Sequence, residues 1–113
     1  MFMITKDVQE VIEFKRSILH NKWSIECILV LGDGDPLRFN EIHDNLPGCS
    51  AKVLTQTLKR MENQKLVTRT SYNEVPPKVT YELSKTGLSL LGYVEKSLDY
   101  FSMAYKLYKT EIV

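Results

Sequence analysis

PLRFNEIHDNLPGCSAKVLTQTLKRMENQKLVTRTSYNEVPPKVTYELSKTG, from Pro36 to Gly87, holds the order of elements that decides the fold. Leu37-Arg38-Phe39 reads as a short extended piece. Asn40 then has the side chain of an N-cap for a small helix, Glu41 to about Leu46, which Pro47-Gly48 stops. Ser50 caps a second helix, Ala51 to about Gln64. Leu54, Leu58 and Met61 fall at i, i+4 and i+7 of that helix, so they share one face and turn inward. Lys52, Thr55, Gln56, Lys59 and Arg60 fall mainly on the other side. Two strand patterns follow. Leu66 to Tyr72 is the first; the second, Lys78 to Leu83, alternates Val79, Tyr81 and Leu83 against Lys78, Thr80 and Glu82. Pro76-Pro77 cannot donate ladder hydrogen bonds and belongs at the tip or edge of the hairpin.

Working outward, Asp7 to about His20 reads as a helix, with Asp7 and Glu10 at capping-box spacing and an apolar face of Val8, Val11, Ile12, Ile18 and Leu19. Trp23 to about Leu31 is apolar nearly all round and predicts a buried helix. Gly32-Asp33-Gly34-Asp35-Pro36 ends it as a turn; the downstream ligands of a calcium loop are absent. At the other end Ser84 caps a helix from Lys85 to about Tyr108. Its apolar residues Leu91, Val94, Leu98, Phe101, Tyr105, Tyr108 and Ile112 recur in alternating steps of three and four, which is a heptad seam. A helix of about 25 residues spans about 37 Å, longer than a small core can cover. Its far half needs a partner: a second copy of the chain, the chain's own N-terminal helix, or both.

The elements and the charge point the same way. Lys52 to Lys85 carries seven bases and three acids, a balance of +4, whereas the remainder carries eight bases and eleven acids, or −3. A basic module inside a near-neutral chain suits local contact with phosphates. At 43% apolar residues the composition is that of a globular protein, with neither a signal-like N-terminus nor an apolar run long enough to span a bilayer, so the expected setting is the cytoplasm. Cys27 and Cys49 form no metal-site spacing and read as free thiols. His20 and His43 lack a nucleophile-carboxylate arrangement. With no triad, carboxylate pair, phosphate loop or metal motif, the expectation is a non-enzymatic protein without catalytic residues, metal or cofactor.

Two helices followed by a two-stranded hairpin is the layout of a winged helix-turn-helix. The fold class expected is α+β, mainly helical, with a two-stranded wing and N- and C-terminal dimerisation helices. It is one domain over 1–113: 7–21 N-terminal helix, 22–87 winged-helix core, 88–113 C-terminal dimerisation helix. The Ser50-capped helix is then the recognition helix. Ser50, Lys52, Thr55 and Gln56 lie at its groove-entering end, where Gln56 can pair with adenine and Lys52 with guanine or a phosphate. Lys59 and Arg60 lie further along, toward the backbone. Lys78 and Arg69 are wing candidates and Arg38 a weaker phosphate contact. Arg69 also reads as a cross-strand partner of Glu82 or Glu74. Cys49 reads as a hydrophobic staple onto Leu54, or else as a thiol activated by the helix N-terminus. Val11, Leu91, Val94, Leu98, Phe101, Tyr105 and Tyr108 are the expected dimer interface.

From Lys22 to Gly87 the chain resembles the HxlR-type transcriptional regulators, a winged-helix family related in architecture to the MarR regulators. The matching pieces are Lys22-Trp23, PLRFNEI (Pro36 to Ile42), LPGCSAKVLTQTLKRME (Leu46 to Glu62) and LVTRTSYNEVPPKVTYELSKTG (Leu66 to Gly87). The resemblance implies a homodimer built from terminal helices, each protomer presenting a recognition helix and a wing to double-stranded DNA. Many members carry Cys-Pro about 13 residues before that tryptophan, a cysteine that senses electrophiles or oxidants in some of them. Here those positions are Glu10 and Val11. The function expected is sequence-specific regulation of transcription on a pseudo-palindromic operator. The alternative is a winged-helix module that binds a protein through its aromatic C-terminal helix. A cleft between the dimer helices is left open as a place for a small aromatic effector.

Overall fold

A computed structural model describes residues 1–112; the last residue of the expected C-terminal segment lies outside them. The chain forms α1 (Lys6–Leu19), α2 (Ser24–Val30), a 3-10 turn (Leu31–Asp33), β1 (Leu37–Arg38), α3 (Phe39–Asp44), α4 (Ala51–Asn63), β2 (Val67–Tyr72), β3 (Lys78–Leu83) and α5 (Lys85–Glu111). The expected serine caps hold for α4 and α5: Ser50 Oγ accepts from the Val53 N–H at 3.1 Å and Ser84 Oγ from the Gly87 N–H at 3.1 Å.

Two helix starts differ from expectation. α1 is capped by Thr5, whose Oγ1 accepts from Val8 N–H at 3.2 Å, so Asp7 sits in the first turn, where its charge complements the helix dipole. α3 begins at Phe39, ahead of Asn40, because the Glu41 carboxylate accepts from the Arg38 N–H at 2.9 Å and satisfies a donor at the helix start. α2 is also shorter and less enclosed than its composition suggested: Ser24, Cys27 and Ile28 are buried, and Leu29 faces out.

The sheet has three strands in the order β1-β3-β2, all antiparallel. The hairpin of β2 and β3 is the expected two-stranded unit. The short piece before α3 adds β1 on the far side of β3, with Leu37 opposite Tyr81 and Arg38 opposite Thr80. That makes β3 central and explains why Thr80, expected on the outer face, is buried between Arg38 and Thr70 of its neighbours.

The core gathers Ile18 from α1, Cys27 and Ile28 from α2, Leu31, Ile42, Leu46, Cys49, the α4 face Leu54, Leu58 and Met61, Leu66, Val67 and Leu83, and Val94 from α5. Two glycines make room for it. A Cβ at Gly87 would overlap the Leu66 carbonyl oxygen, and one at Gly32 would stand 3.0 Å from Leu91 Cδ1. α5 therefore packs through its first turns only. The radius of gyration is 16.7 Å, against about 13 Å for a compact chain of this length. The far half of α5 and most of α1 extend beyond the core.

Candidate nucleic-acid interface

α3, the turn through Gly48 and α4 form the helix-turn-helix. The turn is held by Leu46 and Cys49, both buried, and by His43 Nε2, which bonds the Cys49 carbonyl at 2.7 Å. Gly48 supplies the left-handed residue there, with φ of 86°. This corner projects α4 so that Ser50, Lys52, Thr55, Gln56 and Lys59 are exposed while Leu54, Thr57, Leu58 and Met61 are buried. Thr55 Oγ1 donates to the Ala51 carbonyl at 2.8 Å, which leaves its oxygen free as an acceptor.

Beside this face the hairpin extends outward, its tip Asn73 to Pro77 exposed. Between helix and hairpin runs a notch of about 350 Å³ lined by Thr55, Lys59, Glu62, Arg69 and Tyr81. A second hollow of about 260 Å³ continues it past Lys65 and Thr68. The register puts Arg69 opposite Tyr81, while Glu82 stands opposite Thr68. Arg69 and Glu82 therefore lie on opposite faces of the ladder, which removes the cross-strand pairing with Glu82, and Arg69 lines the notch. Lys78 pairs with Tyr72 in the ladder and holds its ammonium 4.9 Å from that ring. Arg38 is exposed at the end of β1.

Arg60 departs from the set. It is half-buried, and its Nη2 donates to the Lys22 carbonyl at 3.4 Å and to Ser24 Oγ at 3.3 Å. On α4 it falls on the side that meets the α1–α2 corner, a direction that the helical period alone does not rank against the outer face. Lys65, absent from the expected set, is exposed beside the notch with φ of 64°. A lone lysine just past a helix end gives no sequence signal of that placement.

The terminal helices divide likewise. Leu98, Phe101, Tyr105 and Tyr108 are exposed, as is Val11 on α1. Val94 is 1% exposed and Leu91 packs against the core, so these two seam positions belong to the protomer's own interior. The seam changes role about ten residues into α5, where the core beneath it ends.

The HxlR-like helix-turn-helix model matches residues 18–107. The chain belongs to the HxlR-like helix-turn-helix family. An HTH-type transcriptional regulator of Halalkalibacterium halodurans is 31% identical over 96 residues, covering 84% of this chain and 85% of that one. Another, from Synechocystis, is 39% identical over 80 residues, and there the match spans only 56% of the relative's length. Among solved structures, a MarR-family regulator of Enterococcus faecalis superposes with a TM-score of 0.76 at 32% identity, covering 98% of this chain and 99% of that one. The redox regulator HypR in its reduced form gives 0.80 at 28% identity, covering 88% and 98%.

Within this HxlR-like frame both cysteines of the present chain are free and buried. Burial pushes the Cys27 thiol up to about 12, with the neighbouring Cys49 and Glu26 adding to the rise. Burial also raises Cys49, with Glu26 again adding to the rise and Lys22 opposing it. Cys49 lies buried in the same core cluster as Leu54, in keeping with the staple reading, and its raised thiol runs against the activated one. Among the described residues no cluster of metal-ligating side chains occurs, and no helix is long and apolar enough to cross a membrane.

Proposed function

We propose that this protein is a DNA-binding transcription regulator acting in the cytoplasm as a homodimer, without catalytic activity of its own. Family membership supports the regulator class. The observation that carries the rest is the pairing of an exposed polar face on α4 with a basic notch leading to the hairpin. When a helix lies in the major groove and a wing in the adjacent minor groove, the phosphate strand between the two grooves must pass between helix and wing. Lys59 and Arg69 line that passage.

In this reading Ser50, Lys52, Thr55 and Gln56 meet base edges and the nearest phosphates. Lys59, Lys65 and Arg69 hold the backbone, Lys78 contacts the strand beyond the wing, and Arg38 adds an outer phosphate contact. The partner protomer covers Leu98, Phe101, Tyr105 and Tyr108 of α5 together with Val11 of α1. A small apolar effector has a place of suitable size in the cavity of about 330 Å³ between α1 and α5, lined by Val11, Phe14, Ile18, Leu90 and Tyr93 among others.

The test is a gel-shift series against duplexes enriched from a random pool, repeated from low to high salt. Specific binding should weaken steeply as salt rises, by about one log-log unit of slope per phosphate contacted. Lys52→Ala with Gln56→Ala should abolish discrimination between enriched and random duplexes while the fold is retained. Salt-independent binding, or no enrichment of any sequence by the wild type, removes the proposal.

A further inference from the structure

A dimer reads two half-sites in register only if each recognition helix stands at a set angle to the dimerising arm. α1 joins the core at its last turn: Ile18 is its buried residue, and the residues before it are exposed or half-buried. Its 14 residues make an arm about 21 Å long. One flank faces α5 across the cavity of about 330 Å³, so packing on that side is loose.

The other flank is tied to the recognition helix by polar contacts. Gln64, which caps α4, donates from Nε2 to the Ser17 carbonyl at 2.9 Å, and Asn21 Nδ2 donates to the same oxygen. One turn back, Arg60 reaches the Lys22 carbonyl and Ser24 Oγ. These partners bracket Trp23, whose φ of 72° is left-handed and strained for a bulky residue. Arg60 and Gln64 therefore grip the α1–α2 corner from both sides of its most strained residue.

Arg60 Nε and Gln64 Oε1 are buried without a hydrogen-bond partner, and each such group is a net expense that apolar side chains of similar volume would avoid. Directional bonds give what apolar packing does not: one defined angle between α1 and α4. A tilt of about 10° at the base of a 21 Å arm moves its far end by about 4 Å, close to the rise of one base pair.

We propose that Arg60 and Gln64 are positioning residues that set the angle between α1 and α4, and through it the spacing of half-sites the dimer accepts. This rests on the dimeric DNA-reading function above. The experiment enriches duplexes from a random pool with wild type, Gln64→Ala and Arg60→Ala, then measures binding to the enriched site with its halves moved apart or together by one base pair. Wild type should prefer its optimal spacing by about tenfold, and the variants should keep the half-site sequence while that preference falls below about threefold. Variants that keep the wild-type spacing profile, at equal or uniformly weaker affinity, overturn the inference. If Arg60→Ala does not fold, Gln64→Ala decides alone. A wild type that enriches no site removes the regulator reading itself, and this inference with it.

Discussion

Replacing Phe101 with alanine should break the dimer and leave the protomer folded. Phe101 is 71% exposed and takes no part in the core cluster, so nothing in the protomer depends on its ring. A phenylalanine presents about 200 Å² of surface, which leaves about 140 Å² uncovered here. At about 25 cal/mol per Å², complete burial of both copies in a symmetric dimer is an upper bound of about 7 kcal/mol. Interfaces rarely realise the full area, and half of it gives about 3.5 kcal/mol, or about 300-fold in the dimer dissociation constant. Sedimentation equilibrium over a concentration series measures this directly, with far-UV circular dichroism as the control on the fold. DNA affinity should fall in parallel, because a monomer offers one half-site contact. A dissociation constant within about threefold of wild type would refute the reasoning. It would mean that the exposed α5 stripe is not the surface that meets the partner.

Four further outcomes follow from particular residues. Val94→Ala, at a seam position turned into the protomer core, should lower stability by about 1–2 kcal/mol in denaturant unfolding and leave the dimer constant of the folded protein nearly unchanged. Gly87→Ala should be more damaging, about 3 kcal/mol or more, because its new Cβ meets the Leu66 backbone rather than a movable side chain; a midpoint equal to wild type would contradict that geometry. Lys59→Ala and Arg69→Ala should each lower the salt slope of DNA binding by about one and weaken all sequences alike, as phosphate contacts do; a change in sequence preference would reassign them to base reading. The Cys27 thiol, pushed by burial up to about 12, favours the protonated fold, so its contribution is complete below pH 9 and declines as pH rises from 9 toward 12. Denaturant midpoints at pH 8 and pH 10.5 should therefore differ less for Cys27→Ala than for wild type, and thiol reagents at pH 8 should react with either cysteine only after unfolding.

The helix-turn-helix and hairpin were legible because their signals are local. Ser50 and Ser84 announce helix starts through their own side-chain oxygens, Leu54, Leu58 and Met61 share a face by the helical period alone, and Pro76-Pro77 excludes a central strand. The heptad steps of α5 likewise identify a stripe without reference to any neighbour. Three matters were not readable this way, and each depends on what lies across space. Whether a seam residue meets its own core or another surface depends on where that core stops, which separates Val94 from Phe101 on one unbroken period. Which direction Arg60 takes depends on a carbonyl at Lys22, 38 residues earlier, placed there by the Trp23 corner. Which face Arg69 shares depends on the ladder register, since a shift of one residue would have set it beside Glu82 instead of Tyr81. Local backbone preference and side-chain period are properties of neighbouring residues, and so the sequence alone determined the elements, their order and the basic module. Burial, pairing partner and direction are properties of residues brought together by folding, and only the tertiary structure decided them.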